Sequence, residues 1–168
     1  LLEMSPEAGE AARGRIENNL SGALKRGKIS PDQHSKFLGE ALQVVTEYDA
    51  LAEADLVIEA VFEDMAVKKA VFTELDRVCK PGALLASNTS YLDINEIAAT
   101  TSRPADVLGL HFFSPAHVMK LLEVVVADAT APDVAATGFA LGKALGKISV
   151  RAGGCDGFIG NRILSTYR

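Results

Sequence analysis

Short apolar runs alternate with amphipathic segments along most of this chain, and that alternation restricts the fold more than any other feature. Asp55-Leu-Val-Ile-Glu-Ala-Val61 has the composition of a buried strand, and Met65 to Cys79 carries apolar residues at helical spacing until Lys80-Pro81-Gly82 ends it. The order continues with strand Ala83 to Ser87, polar turn Asn88-Thr89-Ser90 and a short helix near Leu92 to Ala98. Strands Asp106 to Phe112 and Leu121 to Val126, helix Pro132 to Leu145 and strand Lys147 to Arg151 finish the body. Upstream, Ser5-Pro6 supplies an N-cap and a first-turn proline for a helix to about Arg26, with Ile16, Leu20, Ala23 and Leu24 on one face. Ser30 and Gln33 are spaced as a capping box, and Gln43 to Thr46 is a short strand candidate. Such alternation predicts an α/β fold, a doubly wound, mostly parallel sheet covered on both faces.

Ligands bind at the carboxyl ends of the strands in sheets of this kind. Three polar clusters fall there: Glu59 to Asp64, Ser87 to Ser90 and His111 to Ser114. His111 and Glu123 are each six residues from His117, the centre of the loop between two apolar runs. If those runs pair antiparallel, the two residues face each other with Cβ atoms about 5 Å apart. A carboxylate holding one imidazole nitrogen fixes the tautomer and leaves the other as a base. A carboxylate between Leu122 and Val124 is costly to bury unless something pairs with it. His117, in the loop, and His34, on a helix, read as solvated.

The totals exclude several classes. At 168 residues with 48% hydrophobic content the chain holds one domain, or one and a fragment, with a buried core. A net charge of -5, with scattered Lys and Arg, argues against a nucleic-acid or membrane-surface partner. No apolar run approaches the roughly 20 residues of a membrane-spanning helix. The two cysteines, Cys79 and Cys155, match no metal spacing and indicate free thiols in a reducing compartment, cytoplasmic or peroxisomal.

Other residues carry weaker signals. Glu3 closes the first visible strand, where an acid in dinucleotide-binding sheets receives ribose hydroxyls; no Arg follows, which favours NAD over NADP. The same Glu fits a merely solvated strand end. Ser87 to Ser90 fits either a site for a cofactor or substrate oxygen or a turn capping the next helix. Asp156-Gly-Phe-Ile-Gly-Asn-Arg162 opens a last helix in which Gly157 and Gly160 permit close backbone approach and Asn161 offers an amide; it fits an ordinary linker and cap equally well. No G-x-G-x-x-G phosphate loop occurs. The chain starts on Leu1-Leu2-Glu3-Met4, like the end of a strand, and stops within a helix running from Phe158 to Arg168; both ends are expected to be cuts in a longer protein.

Taken together, Ser87 to Ser90, Gly109 to Val126 and Gly157 to Arg162 resemble the 3-hydroxyacyl-CoA dehydrogenase family. The run His-Phe-Phe-Ser-Pro-Ala-His-Val-Met-Lys-Leu-Leu-Glu is similar to the dehydrogenase section of multifunctional fatty-acid β-oxidation enzymes. The resemblance implies a Rossmann-like NAD-binding domain over 1–152, lacking its first strand and glycine-rich loop, and the start of an all-helical C-terminal domain over 153–168. It implies NAD as cofactor and oxidation of a (3S)-3-hydroxyacyl-CoA to the 3-ketoacyl-CoA. His111 matches the base, Glu123 its partner, Ser90 the serine beside the substrate hydroxyl and nicotinamide, and Asn161 the substrate-positioning asparagine. Glu3 matches the ribose-binding acid, and Glu63 and Lys68 match residues lining the cofactor cleft. Asn19 and Arg26 fall near positions that touch the CoA part, and Ser114 stands where many monofunctional members carry a cofactor-side Asn. The implied partners are an acyl-CoA substrate and, for the parent protein, a second copy or the other parts of a multifunctional enzyme. A short-chain 3-hydroxybutyryl-CoA dehydrogenase and a non-catalytic relative share most of these features and remain alternatives.

Overall fold

The computed structural model describes residues 1–167 and divides the chain into two compact units, one over 1–50 and one from Leu51 onward. In the first unit, helix α1 (Pro6–Lys25) starts where expected: the Ser5 hydroxyl accepts the Ala8 N–H at 3.2 Å, and Pro6 sits in the first turn. Helix α2 (Pro31–Lys36) carries the full capping box, Ser30 Oγ accepting from Gln33 N at 3.1 Å and Gln33 Oε1 from Ser30 N at 2.8 Å. It widens into a π-turn over Phe37–Ala41, and Arg13 of α1 donates to the Leu38 carbonyl at 2.7 Å and the Leu42 carbonyl at 3.4 Å.

Two expectations change here. The strand over 43–46 reduces to one parallel bridge, Leu2 to Val45, with Glu3 N–H donating to Val45 O and Val45 N–H to Leu1 O. Its partner segment offers too few extended residues before the Ser5 cap to propagate a ladder. His34 is half-buried rather than solvated, its Nε2 3.2 Å from Ser21 Oγ, so it ties α2 to α1.

The second unit is a five-stranded sheet in the order β1-β2-β3-β4-β5. Strands β1 (Leu56–Glu59), β2 (Leu84–Ser87) and β3 (Val107–Phe112) run parallel, β4 (Leu121–Val125) pairs antiparallel with β3, and β5 (Ile148–Ala152) runs parallel to β4. Helix α3 (Met65–Val78) follows β1 under an Asp64 cap, α4 (Ile94–Ala98) follows β2, α5 (Pro132–Ala144) joins β4 to β5, and α6 (Gly160–Ser165) ends the described chain. Leu84, Ala86, Leu108, Leu110, Leu122 and Val124 form a core with Val134 of α5. Residues one step out of phase turn to the opposite face: an added Cβ on Gly109 would lie 3.1 Å from Ile94 of α4. The sheet is therefore mostly parallel and covered on both faces, Rossmann-like as expected.

Observed boundaries fall within two residues of the expected ones except at the end. The helix expected from Phe158 begins at Gly160, because Gly157 and Phe158 hold positive φ of 69° and 50°, which no right-handed helix accommodates. Its expected end, Arg168, lies outside the described residues. Cys79 is buried and Cys155 exposed, both free. Among the described residues no helix is long and apolar enough to cross a membrane.

Candidate active site

His111 and Glu123 are direct partners in the β3–β4 ladder, the register that their symmetry about His117 requires. Nδ1 of His111 lies 2.6 Å from Oε2 of Glu123, with the two residues 3% and 0% exposed. A carboxylate only accepts, so Nδ1 carries the hydrogen, and in the neutral ring the lone pair is on Nε2. The hairpin loop is held from outside by Lys147, whose ammonium donates to the carbonyls of Ala116 and Met119. His117 is exposed on that loop.

The other Glu123 oxygen, Oε1, accepts the backbone N–H groups of Ile159 and Gly160, each at 2.9 Å. The left-handed residues Gly157 and Phe158 curl the chain so that these two amides converge on one anion. A buried carboxylate is costly unless every oxygen is engaged, and here both are. The rings of Phe113 and Phe158 flank His111 at centroid distances of 4.4 and 5.7 Å. A Cβ on Gly160 would come within 2.7 Å of the Phe113 ring, so glycine is needed for this approach.

Asn161, the next residue of α6, donates its amide to the Ser90 carbonyl at 3.3 Å. The turn bearing Ser90 is anchored on Glu63: Oε1 accepts from Thr89 Oγ1 at 2.5 Å, Ser90 N at 2.6 Å and Tyr91 N at 3.1 Å. Partial burial pushes the Glu63 carboxyl up, but the Thr89 and Ser90 hydrogen bonds and the Lys68 charge outweigh it and hold it below its ordinary value. Asn88 Oδ1 accepts the Phe112 N–H at 2.8 Å, joining the turn to the end of β3. A cavity of about 460 Å³ opens beside Asn161, lined also by Tyr91, Cys155, Asp156 and Arg162.

The structure thus links His111, Glu123, Asn161, Ser90 and Glu63 in one continuous chain of contacts. Lys68 is 1% exposed; its ammonium is 2.7 Å from Glu59, 3.3 Å from Glu63 and 3.4 Å from the Val61 carbonyl, which leaves no donor free. Ser114 is exposed just past β3. Glu3, half-buried, and Asn19 and Arg26, both exposed, lie in the first unit. Sequence reasoning missed the two aromatic flanks Phe113 and Phe158 and the amides of Ile159 and Gly160. Only the glycines at 157 and 160 signalled that the backbone comes close here.

Residues 1–155 match the family described as 3-hydroxyacyl-CoA dehydrogenase, NAD binding domain. The chain belongs to this family. It is 57% identical to the peroxisomal bifunctional enzyme of Cavia porcellus over 99% of its own length but only 23% of that protein. It is 39% identical to a probable 3-hydroxybutyryl-CoA dehydrogenase of Bacillus subtilis, covering 98% of this chain and 57% of the relative. The crystal structure of 3-hydroxybutyryl-CoA dehydrogenase from Escherichia coli superposes with a TM-score of 0.95 at 44% identity, over 99% of this chain and 35% of that one. The chain therefore spans about a quarter of the bifunctional relative, a larger, multifunctional protein.

The family's cofactor can be weighed against the groups present. Near the strand ends the site offers hydroxyls at Ser90 and Ser114 and the Glu63 carboxylate, and Lys68, its buried cation, is fully engaged. Such a donor set fits the uncharged carboxamide and the ribose hydroxyls of NAD. The pyrophosphate asks for a glycine-rich phosphate loop, and G-x-G-x-x-G does not occur in this sequence.

Proposed function

We propose that the protein carrying this chain oxidises (3S)-3-hydroxyacyl-CoA to 3-ketoacyl-CoA with NAD, as part of fatty-acid β-oxidation. The observation that carries the proposal is the buried His111–Glu123 pair, with Nδ1 held at 2.6 Å and Nε2 available as an acceptor. His111 is the base: Nε2 takes the proton of the 3-hydroxyl. Glu123 holds the ring in the productive tautomer and stands against the positive charge that the ring gains. Ser90 and Asn161 orient the substrate oxygen, their mutual hydrogen bond keeping the two on one surface. Bound nicotinamide supplies the acceptor for the hydrogen that leaves C3 with its electron pair. Glu63 and Ser114 serve the cofactor, with Lys68 acting from beneath through Glu63; Glu3 keeps the role of ribose-binding acid that the resemblance implies. Asn19 and Arg26 receive the CoA portion.

In this reading residues 1–152 belong to the cofactor domain and 153–168 open the helical one. The chemistry requires the acyl-CoA substrate and NAD; a homodimer or a multifunctional assembly is the setting. A peroxisomal location has support from the bifunctional relatives, and a cytoplasmic one is the alternative. Similarity to the bifunctional enzyme, 57% against 39% for the 3-hydroxybutyryl-CoA relative, favours the β-oxidation reading over a dedicated short-chain enzyme. Assays of the full-length protein with C4 and C10 substrates, (3S)-3-hydroxybutyryl-CoA and 3-hydroxydecanoyl-CoA, test it. NADH formation from both is expected, formation from the C4 substrate alone favours the short-chain enzyme, and NAD binding without oxidation of either favours a non-catalytic relative.

A further inference from the structure

Beneath the Ser90 turn lies a buried carboxylate, Glu59, that no part of the proposed mechanism uses. Glu59, the last residue of β1, is 4% exposed and has both oxygens engaged. Oε1 accepts from Val61 N at 2.6 Å and from Lys68 Nζ at 2.7 Å, and Oε2 accepts the Ser87 hydroxyl at 2.6 Å. Two routes lead from it to the turn. The Ser87 oxygen accepts the Thr89 N–H at 3.3 Å. Lys68 reaches Glu63 at 3.3 Å, and Glu63 gathers the Thr89 hydroxyl and the N–H groups of Ser90 and Tyr91.

We infer that Glu59 is a positioning residue for Ser90, acting through Ser87 and through the Lys68–Glu63 pair. The inference rests on the dehydrogenase reading for what Ser90 does. A buried ion cluster seldom adds net stability, since well-packed apolar side chains of the same volume hold a fold as firmly. What it adds is fixed geometry, because each oxygen accepts only from defined directions. Here both routes terminate on the backbone of one functional turn, and the Ser90 carbonyl at its far side receives Asn161. In Glu59→Gln the Lys68 ammonium keeps one counter-ion, and an amide N–H stands where Oε2 accepts the Ser87 hydroxyl, which must turn to accept instead. Lys68 then shifts toward Glu63, and the turn moves with it.

The test is a double-mutant cycle in the full-length protein, with kcat and KM measured for NAD and (3S)-3-hydroxybutyryl-CoA. Glu59→Gln is expected to lower kcat on the order of 10- to 100-fold, the scale of a small misplacement at a reacting centre. In a Ser90→Ala background the same substitution should cost about twofold or less, because the group it positions is already gone. Ser87→Ala, which cuts one route and leaves the Glu59–Lys68 pair intact, should show the same coupling and serves if Glu59→Gln does not fold. An unchanged kcat, or equal losses in both backgrounds, overturns the inference while leaving the dehydrogenase reading in place. A wild-type protein inactive on every 3-hydroxyacyl-CoA overturns both.

Discussion

At His111 the 2.6 Å contact to a carboxylate with no solvent exposure determines which ring nitrogen is free, and the proposed chemistry follows from that. Replacing His111 with Gln keeps a hydrogen-bonding group of similar reach and removes the proton acceptor. The expected result is a fall in kcat of about 10²- to 10⁴-fold with NAD affinity little changed, read from steady-state kinetics beside NAD titration. Glu63 gives a prediction of a different kind. Its folded pKa is held below the ordinary 4.5 by Thr89, Ser90 and Lys68 against the opposing effect of burial. A carboxyl depressed in the folded state binds fewer protons there than when unfolded. Its contribution to stability is thus present above the ordinary value and is lost as pH falls through the lower, folded one. Glu63→Gln should therefore flatten the acid side of the stability profile, seen as a smaller drop in Tm between neutral pH and pH about 3. An unaltered acid limb would mean that the turn does not depend on the anion.

The β3–β4 hairpin and α6 form the site together, and they were not equally legible. The His111–Glu123 register could be read in advance because antiparallel pairing opposes residues equidistant from the loop centre, and both runs are apolar enough to be strands. The clasp of α6 on Glu123 could not, because it depends on a positive φ at Phe158, a residue type with no preference for that conformation. The flanking of His111 by Phe113 and Phe158 was hidden because an aromatic side chain in the sequence reads equally well as core. Likewise nothing local in the sequence distinguishes the half-buried His34, tied to Ser21, from a solvated helix histidine. Gly160→Ala tests the clasp. Its Cβ would sit 2.7 Å from the Phe113 ring, so either Phe113 or α6 must move. Overpacking of this kind costs about 1–3 kcal/mol, read by denaturant unfolding, and kcat should fall as well because the Phe113 ring packs against the His111 ring. Wild-type stability and turnover in Gly160→Ala would show that α6 does not press on the site.

Across the whole molecule, the fold class was legible because strand and helix periods alternate with turn residues between them, and such a pattern has few compact solutions. Less visible was the minimal pairing around Val45, where short-range composition promised a strand and one bridge formed. The second unit depends on the core between its sheet and α5. Leu122 is fully buried there, on the strand that also carries Glu123. Leu122→Ala should destabilise by about 2–5 kcal/mol in chemical denaturation, and a loss well below this range would mean that the core collapses around the gap. The central claim, that the His111–Glu123 pair drives oxidation of a 3-hydroxyacyl-CoA, is met most directly by one comparison. NADH absorbance is followed for the full-length protein and its His111→Gln variant with (3S)-3-hydroxybutyryl-CoA and NAD. Steady NADH production by the wild type and its near-abolition in the variant is the result predicted. Equal rates in the two, or no NADH from a wild type that binds NAD, would contradict it.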